Sequence, residues 1–207
     1  MPIKRMRRNI NMEFYLNDEK IDVTLEDEKT VGDVLRSFEM TCEESDAAVI
    51  GIKIDGQNIT ADIFDEASKK SLEGINKFEF SVVTRQNIKD SMKKLSELFR
   101  KLSESMQNVP VELQSGKSAQ AHESIKNLAD SIDEFCHIAA LASLFQEYTK
   151  IQIDSKPFHD FFADFSPVLS DFEQALKSND TVSVGDLAEY EICPRLNAIA
   201  DTLEAIL

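Results

Sequence analysis

Across residues 12–84 the apolar positions alternate with polar ones in short runs. Met12, Phe14 and Leu16 share one parity, a polar turn follows at Asn17-Asp18-Glu19-Lys20, and Ile21, Val23 and Leu25 share the next, which predicts a β-hairpin. The period then changes. Val31, Val34, Leu35 and Phe38 recur at helical spacing, Thr30 stands where its hydroxyl can cap the first turn, and Asp33 favours the positive end of the helix. Alternation returns at Ala48, Ile50, Ile52 and Ile54, reverses at Asp55-Gly56, and gives a short strand over 57–60. Residues 62–76 read as a loop with one or two helical turns. Phe78, Phe80 and Val82, alternating with Glu79, Ser81 and Val83, form a closing strand.

From Arg85 onward the step lengthens to three and four. Ile88, Met92, Leu95, Phe99, Leu102 and Met106 make one stripe, expected to end near Asn108 because Val109 precedes Pro110 and is pushed out of the α region. Residues 111–117, with Gly116, then read as a connector. The next helix runs from Ser118 to about Tyr148 on Ile125, Leu128, Ile132, Phe135, Ala139, Ala142 and Phe145. In its second half Cys136, Ile138, Ala140 and Leu141 are apolar as well. A helix that is hydrophobic nearly all round is expected inside, with the rest of the back half packed around it. Ser155-Lys156-Pro157 offers a cap for a third helix carrying Phe158, Phe161, Phe162, Phe165, Leu169, Phe172 and Leu176, which Ser166-Pro167 should kink or split. Its aromatic face is expected to fill core, with a ligand pocket at Phe158 to Phe172 as the alternative. After a break at Asn179-Asp180-Thr181, a last helix begins near Val184 with Leu187, Tyr190, Leu196, Ile199, Leu203 and Ile206. Pro194 should kink it by straining the carbonyl of Tyr190. Four helices on short connectors predict an antiparallel bundle. The seam from Ile88 to Met106 is too short for a coiled-coil signal, so packing within the chain is expected, with a homodimer as its other use.

The chain therefore reads as α+β in two domains, 12–84 and 85–207, preceded by a basic tail over 1–11 that is expected to be disordered or to precede an initiator at Met12. The order β-β-α-β-β-β over 12–84, with its hairpin, helix and Asp55-Gly56 turn, resembles the ubiquitin-like β-grasp fold. Members of that family that carry sulfur or conjugate to lysines end in a free Gly-Gly. Here the strand ends in Val83-Thr84-Arg85 and 122 residues follow, so the resemblance implies a scaffold or protein-binding role. In helix number and acidity the back half is similar to the small helical chaperones of bacterial flagellar and type III secretion. That likeness implies an exported or assembled protein as partner.

The charge narrows the partners. With 23 basic and 38 acidic residues the net charge is −15, shared as −7 before Arg85 and −8 from there on. Such a surface repels phosphate, so neither nucleic acid nor an anionic membrane is expected; an RNA-binding arm made of Lys4, Arg5, Arg7 and Arg8 is the contrary reading. No apolar run reaches the roughly 18 residues of a membrane span and none follows the basic start as a signal peptide would, which predicts a cytoplasmic protein. Cys42, Cys136 and Cys193 are widely spaced and in no CxxC, so they are expected to be reduced core thiols rather than a disulfide framework or zinc site.

Catalytic text is sparse. Glu134 and His137 have the Glu-x-x-His spacing of di-iron bundles, but neither His122 nor His159 has a glutamate three residues earlier, so the second half-site is missing. Cys136 and His137 are neighbours about 100° apart on a helix and cannot act as a nucleophile-base pair. Phosphate-loop, GxSxG and HExxH motifs are absent. No cofactor and no catalytic residue is expected; a metalloprotein or enzyme with a site around Glu134, His137 and His159 is the alternative. The text Asp186-Leu187-Ala188-Glu189-Tyr190-Glu191 mixes acids with an aromatic next to a strained turn, and Glu189, Tyr190 and Glu191 are the expected partner-binding residues. The function expected is that of a non-enzymatic module that holds another protein, adaptor or chaperone-like.

Overall fold

The computed structural model of the chain describes residues 12–206. The basic tail expected over 1–11 lies outside the described residues. The chain is α+β and divides after Arg85 into two compact units.

The first unit is a mixed five-stranded sheet with one long helix packed on it. Strands β1 (Glu13–Leu16), β2 (Glu19–Ile21), β3 (Ala47–Ile54), β4 (Gln57–Asn58) and β5 (Lys77–Thr84) lie in the order β2-β1-β5-β3-β4. β1 and β5 are parallel and every other pairing is antiparallel. Both tight turns use two residues of positive φ, Asn17-Asp18 and Asp55-Gly56, the geometry that matches the twist of the flanking strands. The first hairpin is thus shorter than the alternation suggested. β2 stops at Ile21, and Val23, expected on its inner face, is exposed.

Helix α1 (Val31–Glu44) starts as its residues dictate. Thr30 accepts from the Asp33 amide at 3.2 Å while the Asp33 carboxylate accepts from the Thr30 amide at 3.0 Å, a capping box. Its inner face, Val31, Val34 and Leu35, meets Phe14, Phe78, Phe80 and Leu72 to form the core. Phe38 stacks on Phe80 with ring centroids 3.7 Å apart. The shorter α2 (Ala61–Ser68) supplies the two helical turns expected in the stretch that follows β4.

In the second unit α3 (Arg85–Gln114) buries the expected seam, from Ile88 through Met106, and extends it to Val109. The helix does not stop at Asn108. Pro110 removes only one backbone donor, Met106 and Val109 are wholly buried beside it, and its ring lies against Gly185, where a side chain would stand 3.4 Å away. Termination comes instead from Gly116 at φ +76, with the Gly116 amide donating to Leu113 and the Lys117 amide to Glu112, a Schellman ending.

Helix α4 (Ser118–Ala142) is shorter than expected and is not enclosed. After Ala142 the chain turns back, burying Phe145 and Tyr148, whose rings meet edge to face at 6.4 Å. Lys126, Asp130, Asp133, Glu134 and His137 form a wet face, and Cys136, expected in the core, is exposed. The wholly buried positions gather instead on α3 and on α7 (Cys193–Ala205), where Leu196, Ile199, Ala200 and Leu203 are at most 1% exposed.

Residues 152–157 fold as a small hairpin, β6 (Gln152–Ile153) against β7 (Lys156–Pro157), with Asp154 and Ser155 at positive φ. Ser155 is therefore a turn residue rather than a helix cap. α5 (Phe158–Lys177) continues unbroken through Pro167, so the split expected there does not occur; Phe161, Phe165 and Phe172, on either side of the ring, are buried. Asp180 caps α6 (Thr181–Asp186) by accepting from the Ser183 amide, three residues before the start expected near Val184. Between α6 and α7, where a kink was expected, lies a π-helical turn, Leu187–Ile192, which leads into Pro194 in the first turn of α7. Ser96 to Ala200, Ser103 to Cys193 and Pro110 to Gly185 descend in register, so α3 and the α6–α7 run are antiparallel. Phe99 against Phe135, and Phe135 against Phe158 and Phe162, join α3, α4 and α5.

Candidate functional site

Two features of the second unit could engage another molecule. The first is the π-helical turn. Its wide pitch buries Ala188 and Ile192 while Tyr190 points outward, 65% exposed. The carboxylate of Glu189 beside it raises the Tyr190 pKa, first by its charge and then by accepting the phenol's hydrogen bond. Glu191 does not join them. It is half-buried and pairs with Arg195 at 2.6 Å, and the Arg195 guanidinium lies over the Phe165 ring at 5.8 Å. Of the three residues expected to bind a partner, Glu189 and Tyr190 share one exposed surface and Glu191 braces α7 against α5.

The second feature was not foreseen as a site. A cavity of about 680 Å³ lies beside the second half of α4. Its floor is Cys136, Ala139, Ala140 and Ser143; Phe135, Phe158, Met92 and Leu203 give the inner wall; Tyr148, Lys150, Ile151 and Gln152 close one side. His159 and Thr202 stand at the rim. The signal for it was present in the sequence: the part of α4 that is apolar nearly all round is the part that faces the cavity.

The metal reading finds its residues apart. Glu134 and His137 are exposed on α4, one turn apart, and His122 is exposed nearer its start. His159, 93% exposed in its side chain, is 3.4 Å from Asp160. Among the described residues no group of three or more histidines, cysteines or carboxylates is placed to hold a metal ion, and no helix is long and apolar enough to cross a membrane.

Comparison with known proteins covers both units. Residues 12–84 match the family model described as the TP0873 N-terminal domain. An uncharacterized protein of Treponema pallidum (strain Nichols) is 23% identical over 190 residues, 92% of this chain and 95% of that protein. No solved structure matches the chain. The model described as a domain of unknown function, DUF8042, matches residues 90–202, more than half of the sequence, and the chain belongs to that family.

Proposed function

We propose that this chain is a non-enzymatic module that holds another protein, adaptor or chaperone-like in kind and cytoplasmic in place, built as a ubiquitin-like β-grasp domain followed by a four-helix bundle. The β-grasp reading is supported by a sheet in which the first and last strands pair in parallel at the centre, with one long helix across its face. The bundle reading is supported by the antiparallel run of α3 against α6 and α7 and by the ring contacts that join α4 and α5 to it.

The observation that carries the function is Tyr190. A tyrosine offers a large amphipathic surface at low cost in side-chain entropy, which is why such residues anchor protein interfaces, and π-helical turns recur at functional positions. Here the ring is exposed on such a turn beside the Glu189 carboxylate. The test is affinity purification from the native cell with Tyr190→Ala and Glu189→Lys. Recovery of the copurifying protein should fall about tenfold or more in each variant, as expected for loss of an interface anchor, while the melting temperature stays within a degree or so of the parent. Unchanged recovery in both variants removes the proposal.

A further inference from the structure

We propose that the cavity beside α4 binds a single-chain amphiphile with an anionic head, an acyl carboxylate or its phosphate analogue. The site shares no residue with the Tyr190 surface and does not depend on the protein-binding reading. Three observations converge on this ligand.

Residues of α3, α4, the 145–151 turn, the β6–β7 hairpin, α5 and α7 all contribute to the cavity, which is partly open to solvent. Its volume of about 680 Å³ falls within the roughly 300–1,000 Å³ typical of small-molecule sites. The floor explains the shape of the ligand. Ala139, Ala140, Ala142 and Ser143 are small, so they leave a narrow trough along α4 in which a methylene chain can lie against the helix and the Phe135 and Phe158 rings. This flank is also the apolar side of α4 that the described residues leave exposed at Cys136 and Ala140, and a hydrocarbon chain would remove it from water.

Charge fixes the head. The protein carries 38 acidic residues, yet none of the residues lining this cavity is acidic, while Lys150 and His159 both reach it. Lys150 has no ion-pair partner among the described residues. The nearby acids Glu147, Asp154 and Asp201 line a separate shallow hollow, and Lys150, Ile151, Gln152 and Thr202 form the ridge between the two. An anionic head placed on that far side would meet three carboxylates, so it sits on this side of the ridge against Lys150, where the Asp160 carboxylate, 3.4 Å from His159, offsets part of the histidine's pull.

The experiment is displacement of a fluorescent undecanoate from the full chain by laurate, dodecyl phosphate and 1-dodecanol, each below its micellar concentration. Laurate or dodecyl phosphate should bind one per chain, the tighter of the two identifying the head group, and 1-dodecanol at least tenfold more weakly. Lys150→Glu should weaken the anions at least tenfold and leave 1-dodecanol unchanged. Ala140→Trp, which fills the trough, should abolish all three. Lys150 is exposed, so its variant keeps the fold and decides the matter even if the tryptophan variant does not fold. Absence of saturable binding, equal affinity for 1-dodecanol and laurate, or an unchanged Lys150→Glu overturns the proposal.

Discussion

Cys193 is 2% exposed at the start of α7, where its thiol donates to the Ser103 carbonyl at 3.3 Å and the Ser103 hydroxyl donates back to the Cys193 carbonyl at 3.4 Å. Burial raises the thiol pKa above its ordinary value of 9.0, because the thiolate would lose its hydration. The folded state thus favours the neutral form. This contribution to stability is complete below the ordinary value and is lost as pH rises through the raised one. Cys193→Ala should cost about 1 kcal/mol at neutral pH, the removal of one buried atom. Its urea midpoint should also fall less steeply than the parent's above about pH 9. Parallel curves for the two proteins across that range would mean that the thiol does not titrate with unfolding. Residue-scale chemistry of this kind is partly legible in the sequence. Thr30 as a cap and Asp33 in the first turn are announced by position alone, whereas the burial of Cys193 and the exposure of Cys136 depend on which helix face finds a neighbour.

At the scale of elements, Gly32 decides how closely α1 and α2 approach. A Cβ there would stand 3.0 Å from the Ser68 carbonyl oxygen, a backbone atom that cannot rotate away. Alanine gains about 1 kcal/mol in helix propensity, but overpacking against a fixed carbonyl costs about 1–3 kcal/mol, so Gly32→Ala should be net destabilising by about 1 kcal/mol. A raised melting temperature would show that the two helices can move apart. The elements read most clearly from sequence are those with a sharp period and local punctuation: β1, α1, β5 and the seam of α3; in β3 a register shift between Val49 and Gly51 changes the phase, so Val49, Ile52 and Ile54 pack on the core and Ile50, expected beside Ile52, is exposed. Those misjudged turn on nonlocal facts. Pro110 is a helix breaker by local rule, yet the buried Met106 and Val109 ahead of it and a glycine opposite its ring hold α3 together. Asp154 and Ser155 adopt positive φ to close β6 on β7, and nothing in their text separates that turn from a helix cap. The hydrophobicity of the second half of α4 predicted enclosure, yet Cys136 and Ala140 on that half are exposed.

For the whole molecule, charge is the dominant sequence-level quantity. Net charges of −6 through Arg85 and −9 from Gln86 on place each unit under self-repulsion that salt should relieve, the screening length being about 10 Å at 0.1 M. Raising NaCl from 0.05 to 0.5 M should therefore stabilise the protein by about 1 kcal/mol, or roughly 3 °C in melting temperature. A fall would mean that exposed pairs such as Arg100 with Asp201 and Glu204 outweigh the repulsion. Two units could be anticipated from the change of hydrophobic period at Arg85, because that change is written in adjacent residues. The cavity beside α4 was legible only in its α4 flank and at Phe158, because its other walls come from residues as far apart as 92 and 203.

The wide turn between α6 and α7 sets the phase of the last helical run. An α-helix gains 100° per residue, so the one extra residue held in Leu187–Ile192 offsets the two helices by that angle while keeping Val184, Ala188, Ile192 and Leu196 in a single inward line. A sequence one residue shorter at this point would have to wind at ordinary pitch. Either the valine and alanine ahead of the deletion or the leucines behind it would then swing out to water, and the tyrosine would lose its outward bearing.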